Sequence, residues 1–276
     1  DYFCEKYQNH ELISLSVSFL RIILLKWCGD YLQNPRWYDP DQRKDVCISY
    51  LCKENRKYSI INIQISMNVI ITGASKGIGK AIAEIFASNG YNLFLCSRGE
   101  VSLYKVMEEL QTRFPAITIK AKPADMSKKE EVIAFANWCL SFAVPDVVVN
   151  NAGIFHPGNV LDEPEGSLEN HIETNLYSAY HLTRLLSPKM IERKLGHIFN
   201  ICSIAALKAY KNGGAYSISK FAMNGFSMNL REEMKSHGIK VTTVHPGAVL
   251  TDSWDGFDNT SKRIMEATDI AKMVYS

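Results

Sequence analysis

Ser203, Tyr216 and Lys220 stand in one short stretch of the 276-residue chain, with the last two four residues apart in Tyr216-Ser-Ile-Ser-Lys220. If the residues after Gly214 are helical, side chains at i and i+4 leave the same face of the helix and meet. An ammonium beside a phenol favours the phenolate and lowers a pKa that is ordinarily about 10. A phenol tuned in this way exchanges a proton with a substrate oxygen near neutral pH. The Ser203 hydroxyl is then a hydrogen-bond partner for that same oxygen. Tyr-x-x-x-Lys alone also describes an exposed tyrosine next to a solvated lysine, so the reading depends on the elements that would position these groups.

The first such element is the run Met67-Asn-Val-Ile-Ile-Thr72-Gly73-Ala-Ser75-Lys76-Gly77-Ile78-Gly79. Val69 to Ile71 form a short β-branched run, as expected of a buried parallel strand. Ile78, Ile82, Ile85 and Phe86 recur at helical spacing. Between strand and helix lies a glycine turn, Gly-x-x-x-Gly-x-Gly. Such a turn brings backbone N–H groups and a helix N-terminus up to a pyrophosphate. A glycine pattern is weak evidence alone; the strand–turn–helix context strengthens it.

With these residues in view, the chain resembles the short-chain dehydrogenase/reductase family. Four motifs match in order: Thr72-Gly73-Ala-Ser-Lys-Gly77-Ile-Gly79, Asn150-Asn151-Ala152-Gly153, Ser203 with Tyr216-x-x-x-Lys220, and Pro246-Gly247-Ala-Val249-Leu-Thr251. The resemblance covers residues 67–276. It implies a Rossmann-type fold, hydride transfer between nicotinamide and a carbonyl carbon, catalysis by Ser203, Tyr216 and Lys220, and contact of Tyr216 and Lys220 with the coenzyme, Lys220 at the nicotinamide ribose hydroxyls. Asn175, in Glu-Thr-Asn-Leu, matches a fourth active-site residue of the family that helps hold a water chain to the lysine. By position, Gly73, Ser75, Lys76, Gly77, Ile78 and Gly79 would meet the coenzyme, with Ser97 and Arg98 after the second strand. Asn150, Asn151, Ala152 and Gly153 would lie near the adenosine ribose, Pro246 and Gly247 would turn the chain, and Val249 and Thr251 would hold the carboxamide. Asp125 resembles the residue that meets the adenine amino group, or else it caps a helix. Sepiapterin-reductase-like and 3-oxoacyl-carrier-protein-reductase-like members both come to mind. An NADPH-binding sensor without turnover is the alternative in a different class of function.

The elements needed for this arrangement alternate along the chain. Strands are predicted at 68–72, 92–96, 117–121, 146–150, 197–201 and 240–244, and helices at 77–89, 101–113, 127–142, 167–193, 214–237 and 268–275. Gly90, Gly196 and Gly238 fall where left-handed C-terminal caps are expected, and Asp125 and Ser127 where a helix start is capped. Alternation of this kind predicts an α/β fold, a doubly wound parallel sheet with helices on both faces. The family order is 3-2-1-4-5-6, with the family's seventh strand missing. Ligands bind beyond the carboxyl ends of such strands, where every motif above falls.

The second strand ends Leu95-Cys96-Ser97-Arg98, with no acid at the position that would bind a ribose hydroxyl. Arg98 and Lys76 instead predict NADP(H), because a planar guanidinium pairs with a 2′-phosphate. Substrate-lining candidates are Ile154, Phe155, His156, Ala205, Tyr210, Trp254 and Phe257, with residues 252–262 read as a mobile lid. These aromatics favour a small-molecule carbonyl substrate of apolar character. His156 and His245 are read as structural.

Composition narrows the remaining choices. The chain has 31 Lys and Arg against 29 Asp and Glu, a formal charge of +2, which gives no expectation of nucleic acid. Seven cysteines without a Cys-x-x-Cys pair argue against a zinc site and fit a reducing cytoplasm; Cys96 and Cys202 read as small buried residues. Residues 1–66 contain no Ala, Thr or Met and one glycine, Gly29. The apolar run Leu12–Leu25 is broken by Arg21 and is too short to span a bilayer. The break in composition predicts Met67 as the native start, with 1–66 as translated upstream sequence; a genuine helical or membrane-associating extension is the alternative. The last helix ends the chain where a further strand is expected, which reads as truncation of the 67–276 domain. Homodimer or homotetramer assembly through the two long helices is the expected quaternary state, and no membrane partner is expected.

Overall fold

Six strands share one sheet, whose central strands are apolar on both faces. The computed structural model describes residues 47–54, 57–64, 67–250 and 265–276. Antiparallel strands β1 (Cys47–Glu54) and β2 (Lys57–Gln64) form a two-stranded sheet of their own, in register from Cys47 opposite Gln64 to Glu54 opposite Lys57. This hairpin lies in the stretch read as upstream sequence, where no strand was predicted.

The larger sheet contains β3 (Asn68–Thr72), β4 (Asn92–Cys96), β5 (Ile119–Ala121), β6 (Val147–Asn150), β7 (Gly196–Ile201) and β8 (Ile239–Val244). Their order is β5-β4-β3-β6-β7-β8, all parallel, which is 3-2-1-4-5-6 counted from β3. Among the described residues no strand pairs beyond β8. The helices are α1 (Gly77–Ser88), α2 (Glu100–Arg113), α3 (Lys129–Leu140), α4 (Ser167–Ile172), α5 (Ser178–Arg193), α6 (Gly214–Lys235) and α7 (Ala267–Tyr275). Strands β9 (Val249–Leu250) and β10 (Met265–Glu266) form a short parallel ladder on either side of residues 251–264.

Alternate residues of the central strands feed two cores. Val69, Ile71, Leu93 and Leu95 pack with Ile82, Phe86, Leu103 and Ile270 on one face. Ile70, Phe94, Val148 and Ile198 pack with Phe135, Leu182, Leu186 and Met190 on the other. Each large apolar side chain buried here contributes about 1.5–3 kcal/mol. Burial on both faces is what forces consecutive apolar residues in β3 and β6, and it sets their register, Val69 opposite Val147 and Ile71 opposite Val149.

Two predicted features are corrected. The single helix over 167–193 is interrupted by a π-turn at Glu173–Tyr177, which joins α4 to α5 and contains Asn175. Of the three predicted glycine caps, Gly90 and Gly238 are left-handed, with φ of 84° and 72°, whereas Gly196 opens β7 and the left-handed residue after α5 is Lys194, with φ of 52°. A Cβ on Gly196 would lie 2.3 Å from Met190 Cε, so this glycine answers to packing rather than to capping. Among the described residues, no helix is long and apolar enough to cross a membrane.

Candidate active site

Pairing of Thr72 with Cys96, Asn150 with Asn200 and Ile201 with Val244 brings the carboxyl ends of five strands to one edge of the sheet. Every motif predicted to carry chemistry leaves the sheet at this edge.

The glycine turn is tied to the β6 exit. Thr72 Oγ1 accepts the N–H groups of Asn151 (3.0 Å) and Ala152 (2.9 Å), and Asn151 Nδ2 donates to the carbonyls of Thr72 (2.9 Å) and Gly73 (3.1 Å). Gly73 is left-handed, with φ of 66°, and the N–H of Ala74 reaches the Cys96 carbonyl at 3.0 Å. Helix α1 starts at Gly77 without a side-chain cap, so the N–H groups of its first turn suit an anion. Ser75 and Ile78 lie half-buried in the same turn, and Lys76 and Arg98 are exposed beside the ends of β3 and β4. Ser97 is buried and donates from Oγ to the Gly99 carbonyl at 3.4 Å.

Asp125 makes an Asx-type turn, accepting at Oδ1 from the N–H (3.0 Å) and hydroxyl (2.8 Å) of Ser127. Partial burial opposes ionisation of its carboxyl, but the Ser127 bonds and the nearby Arg98 and Lys128 charges outweigh it and hold the pKa below the usual carboxylate range. The cap at the start of α3 is Lys128, so Asp125 organises the preceding turn and does not cap the helix itself. Asn150 is buried away from this turn, donating to Thr183 Oγ1 (3.1 Å) and Asn200 Oδ1 (2.8 Å), with no partner for its own Oδ1.

Tyr216 and Lys220 stand on the first two turns of α6, as predicted from their spacing. The Ser203 hydroxyl lies close enough to the Tyr216 phenol to favour its ionised form, and it accepts the Ala205 N–H at 3.1 Å. His245 Nδ1 lies 3.0 Å from the Ser203 carbonyl, which makes this histidine structural. Lys220 is buried, donates from Nζ to the Ile201 carbonyl at 3.1 Å, and sits 5.8 Å from the centre of the Tyr216 ring. Burial lowers its pKa from the ordinary lysine value. Gly153 lies between this ammonium and Asn175: a Cβ there would sit 3.1 Å from Asn175 Oδ1, a tight contact, and 3.7 Å from Nζ, an ordinary one.

One expectation about this trio is corrected. Tyr216 is not below the ordinary phenol pKa but raised to about 12. Burial raises it most, the Ser203 hydroxyl pulls the other way, and Tyr210 adds a further rise. The lysine faces the ring and a carbonyl, and that geometry does not offset the desolvation of a phenolate.

Asn175 is held in place on several sides. Its side chain is fully engaged in the π-turn, accepting the Ile154 N–H (2.7 Å) and donating to the Ile154 carbonyl (3.1 Å) and to Ser219 Oγ (2.9 Å). Ser219 Oγ in turn donates to the Tyr216 carbonyl at 2.7 Å. The amide therefore braces the β6 exit against α6, and the described side-chain bonds include none to Lys220.

Of the substrate-lining candidates, Phe155 packs edge-on to Tyr216 with ring centres 4.8 Å apart, and Tyr210 is half-exposed nearby. Ala205 is buried and does not line an opening. Pro246 accepts the Ile204 N–H at 3.0 Å and Gly247 follows it into β9, where Val249 is buried. Thr251, Trp254, Phe257 and the lid read over 252–262 lie outside the described residues.

Sequence reasoning missed His171. It is 1% exposed, with Nδ1 2.7 Å from the Ser167 carbonyl and Nε2 accepting the His156 N–H at 3.3 Å, and its ring centre is 6.2 Å from that of Tyr216. A histidine that holds the loop beside the Tyr216 phenol has no mark in the linear pattern. Cys96 and Cys202 are buried; burial pushes the Cys96 thiol up to about 12 and raises that of Cys202, so neither is a thiolate nucleophile. Among the described residues no group of three or more His, Cys, Asp or Glu side chains is placed to hold a metal ion.

Comparison with known proteins agrees with this geometry. The chain matches the family described as short chain dehydrogenase over residues 67–262. It is 30% identical over 207 residues to a diacetyl reductase, (S)-acetoin forming, from Staphylococcus epidermidis, an alignment that covers 74% of this chain and 80% of that protein. Among solved structures, a metagenomic short-chain oxidoreductase in complex with NADP is 33% identical with a TM-score of 0.67, over 76% of this chain and 90% of the other. A short-chain dehydrogenase from Sphingobium yanoikuyae in complex with NADPH is 27% identical with a TM-score of 0.71, over 76% and 83%. The chain belongs to the short-chain dehydrogenase family and is an oxidoreductase of that class.

Proposed function

We propose that this protein is an NADPH-dependent reductase of small ketones, with Tyr216 as proton donor. The observation that carries this reading is the grouping of Tyr216 with the Ser203 hydroxyl beside its phenol and the buried Lys220 ammonium 5.8 Å from its ring centre. A phenol with a pKa of about 12 is protonated at neutral pH, the form a reduction needs. Reduction at the carbonyl carbon leaves a developing alkoxide, a stronger base than phenolate, so the proton moves downhill from Tyr216 to that oxygen. Ser203 polarises the same oxygen by hydrogen bonding to its growing charge. Lys220 holds a buried positive charge near the phenolate that results.

The residues present fit a reduced nicotinamide dinucleotide: an uncapped helix start behind a left-handed Gly73, and two exposed cations at the β3 and β4 ends. That coenzyme would supply the hydride. The turn from Gly73 to Gly79 would hold its pyrophosphate, and Lys76 and Arg98 a 2′-phosphate. Asp125, Asn151, Ala152 and Gly153 would border its adenosine half. Pro246, Gly247, Val249 and Thr251 would border the nicotinamide. The test is consumption of NADPH with a panel of vicinal diketones, pterins and 3-oxoacyl thioesters. Coenzyme binding without turnover across the panel would favour a sensor instead.

Arg98→Asp is expected to reverse a preference for NADPH over NADH of at least about tenfold, worth about 1.4 kcal/mol. It removes the guanidinium and places an acceptor for ribose hydroxyls at the strand end. Equal kcat/KM for both coenzymes in the wild-type enzyme would refute the assignment.

The same reading goes with a reducing compartment such as the cytoplasm and with a homodimer or homotetramer paired through α6. Ile218, Phe221 and Met228 on α6 are 41%, 46% and 63% exposed, and a Cβ on Gly225 of the same face would meet open space. An apolar stripe with a flat glycine suits close pairing of two copies. Phe221→Glu is expected to give monomers in sedimentation velocity at concentrations where the wild type is dimeric.

A further inference from the structure

The helix that carries the catalytic pair is not capped from its own sequence. Its N-cap is Gly213, which offers no side chain, and the first turn runs Gly214, Ala215, Tyr216. The missing acceptor comes from 52 residues upstream. Glu163 receives the Ala215 N–H on both carboxylate oxygens, at 3.1 and 3.2 Å. The residue whose N–H is clamped is the immediate neighbour of Tyr216.

The rest of the contact looks built for this carboxylate. Glu163 is fixed by its own turn, its N–H donating to the Asn159 carbonyl at 2.9 Å. That turn is stitched to the strand side of α6: the Gly158 N–H reaches the Asn212 carbonyl at 3.1 Å, and the Asn212 N–H reaches Asn159 Oδ1 at 3.3 Å. Gly214 is left-handed, with φ of 33°, and a Cβ on it would fall 2.5 Å from the Gly158 carbonyl oxygen and 2.7 Å from Glu163 Oε2. Any side chain at 214 would push the clamp off. The loop between β6 and α4 thus grips the N-terminus of α6 through one acidic side chain and two glycines.

We infer that Glu163 is a positioning residue for the reaction, a carboxylate that clamps the first turn of α6 and so holds the Tyr216 phenol at Ser203. This rests on the reading of Tyr216 as proton donor. Two properties suit the role. A carboxylate complements the positive end of a helix, and its two oxygens follow the N–H through small displacements of the turn. The phenol and the serine belong to different segments, so their contact survives only if the first turn of α6 cannot fray. The clamp acts first on the donor's placement, since the glycine turn and the β4 end, which would hold most of the coenzyme, lie on other elements.

The test compares Glu163→Ala with Glu163→Gln, which keeps one acceptor oxygen. Loss of the clamp is expected to lower kcat for ketone reduction by about thirtyfold, the scale of a misplaced reacting group, with KM for NADPH changed less than about twofold. The glutamine variant is expected to recover kcat to within about threefold. Amide exchange of the peptide spanning 213–218 should quicken in the alanine variant and not in the glutamine variant. Should Glu163→Ala fail to fold, Glu163→Asp, one methylene too short, is read by the same criteria. Wild-type kcat in the alanine variant overturns the inference, as does a loss of kcat that glutamine does not rescue. If the wild-type protein binds NADPH but reduces no ketone, the functional reading fails by itself; unchanged exchange at 213–218 then overturns the clamp independently.

Discussion

Tyr216→Phe is expected to abolish ketone reduction, with kcat down by about three orders of magnitude, while NADPH binds with unchanged affinity. General acid catalysis contributes typically about 10²–10⁴-fold, and the proposed function assigns that role to the phenol beside Ser203. The phenylalanine ring keeps the edge-on packing against Phe155, so the pocket retains its shape. The wild-type pH profile follows from the direction of the phenol's shift. A pKa raised to about 12 keeps the acid form dominant through neutral pH, so reduction should be level there and fall only as pH rises towards that value. Alcohol oxidation needs the phenolate and should rise about tenfold per pH unit below it. Stopped assays of both directions, with coenzyme affinity followed by nucleotide fluorescence, check the prediction. If the phenylalanine variant keeps most of its activity, the phenol is not the donor.

Gly79→Ala is expected to cost about 3 kcal/mol or more and to lower the midpoint of thermal unfolding by roughly 6–12 °C. A Cβ at this position would lie 2.2 Å from the Gly73 carbonyl oxygen and 2.6 Å from Asn151 Nδ2. The first is backbone, held in a left-handed turn. The second is the amide that ties that turn to β6 by bonds to Thr72 and Gly73. Neither yields without breaking the link between the first and fourth strands of the fold, counted from β3. Coenzyme affinity should fall with stability, because the same turn presents the uncapped start of α1. A variant that melts within about 2 °C of the wild type would show that the turn relaxes freely.

The two variants probe different kinds of information. Tyr216, Lys220 and Ser203 were legible from residue types and spacing, because a helix of fixed pitch turns a four-residue interval into a shared face. The strands were legible for a related reason: two buried faces leave continuous β-branched runs such as Val69–Ile71 and Val147–Val149. The glycine turn was legible as a turn, yet its reason was not. Gly79 is required by the Gly73 carbonyl packed against it, and that contact exists only once α1 folds back over the strand.

What the chain determined by itself, then, was periodicity, turn chemistry and which side chains a helix of fixed pitch sets on one face, all properties of neighbours along the backbone. Tertiary structure alone decided the rest. It raised the Tyr216 phenol instead of lowering it, because burial of the ring outweighs a lysine whose ammonium is 5.8 Å from the ring centre and bonded to Ile201. It set Asn175 in a π-turn, where its amide bridges Ile154 and Ser219. It brought His171 beside the phenol and Glu163 onto the N–H next to it, across 45 and 52 residues of chain respectively. Desolvation and long-range hydrogen bonding depend on which segments meet, and no spacing rule along a single strand or helix carries that information.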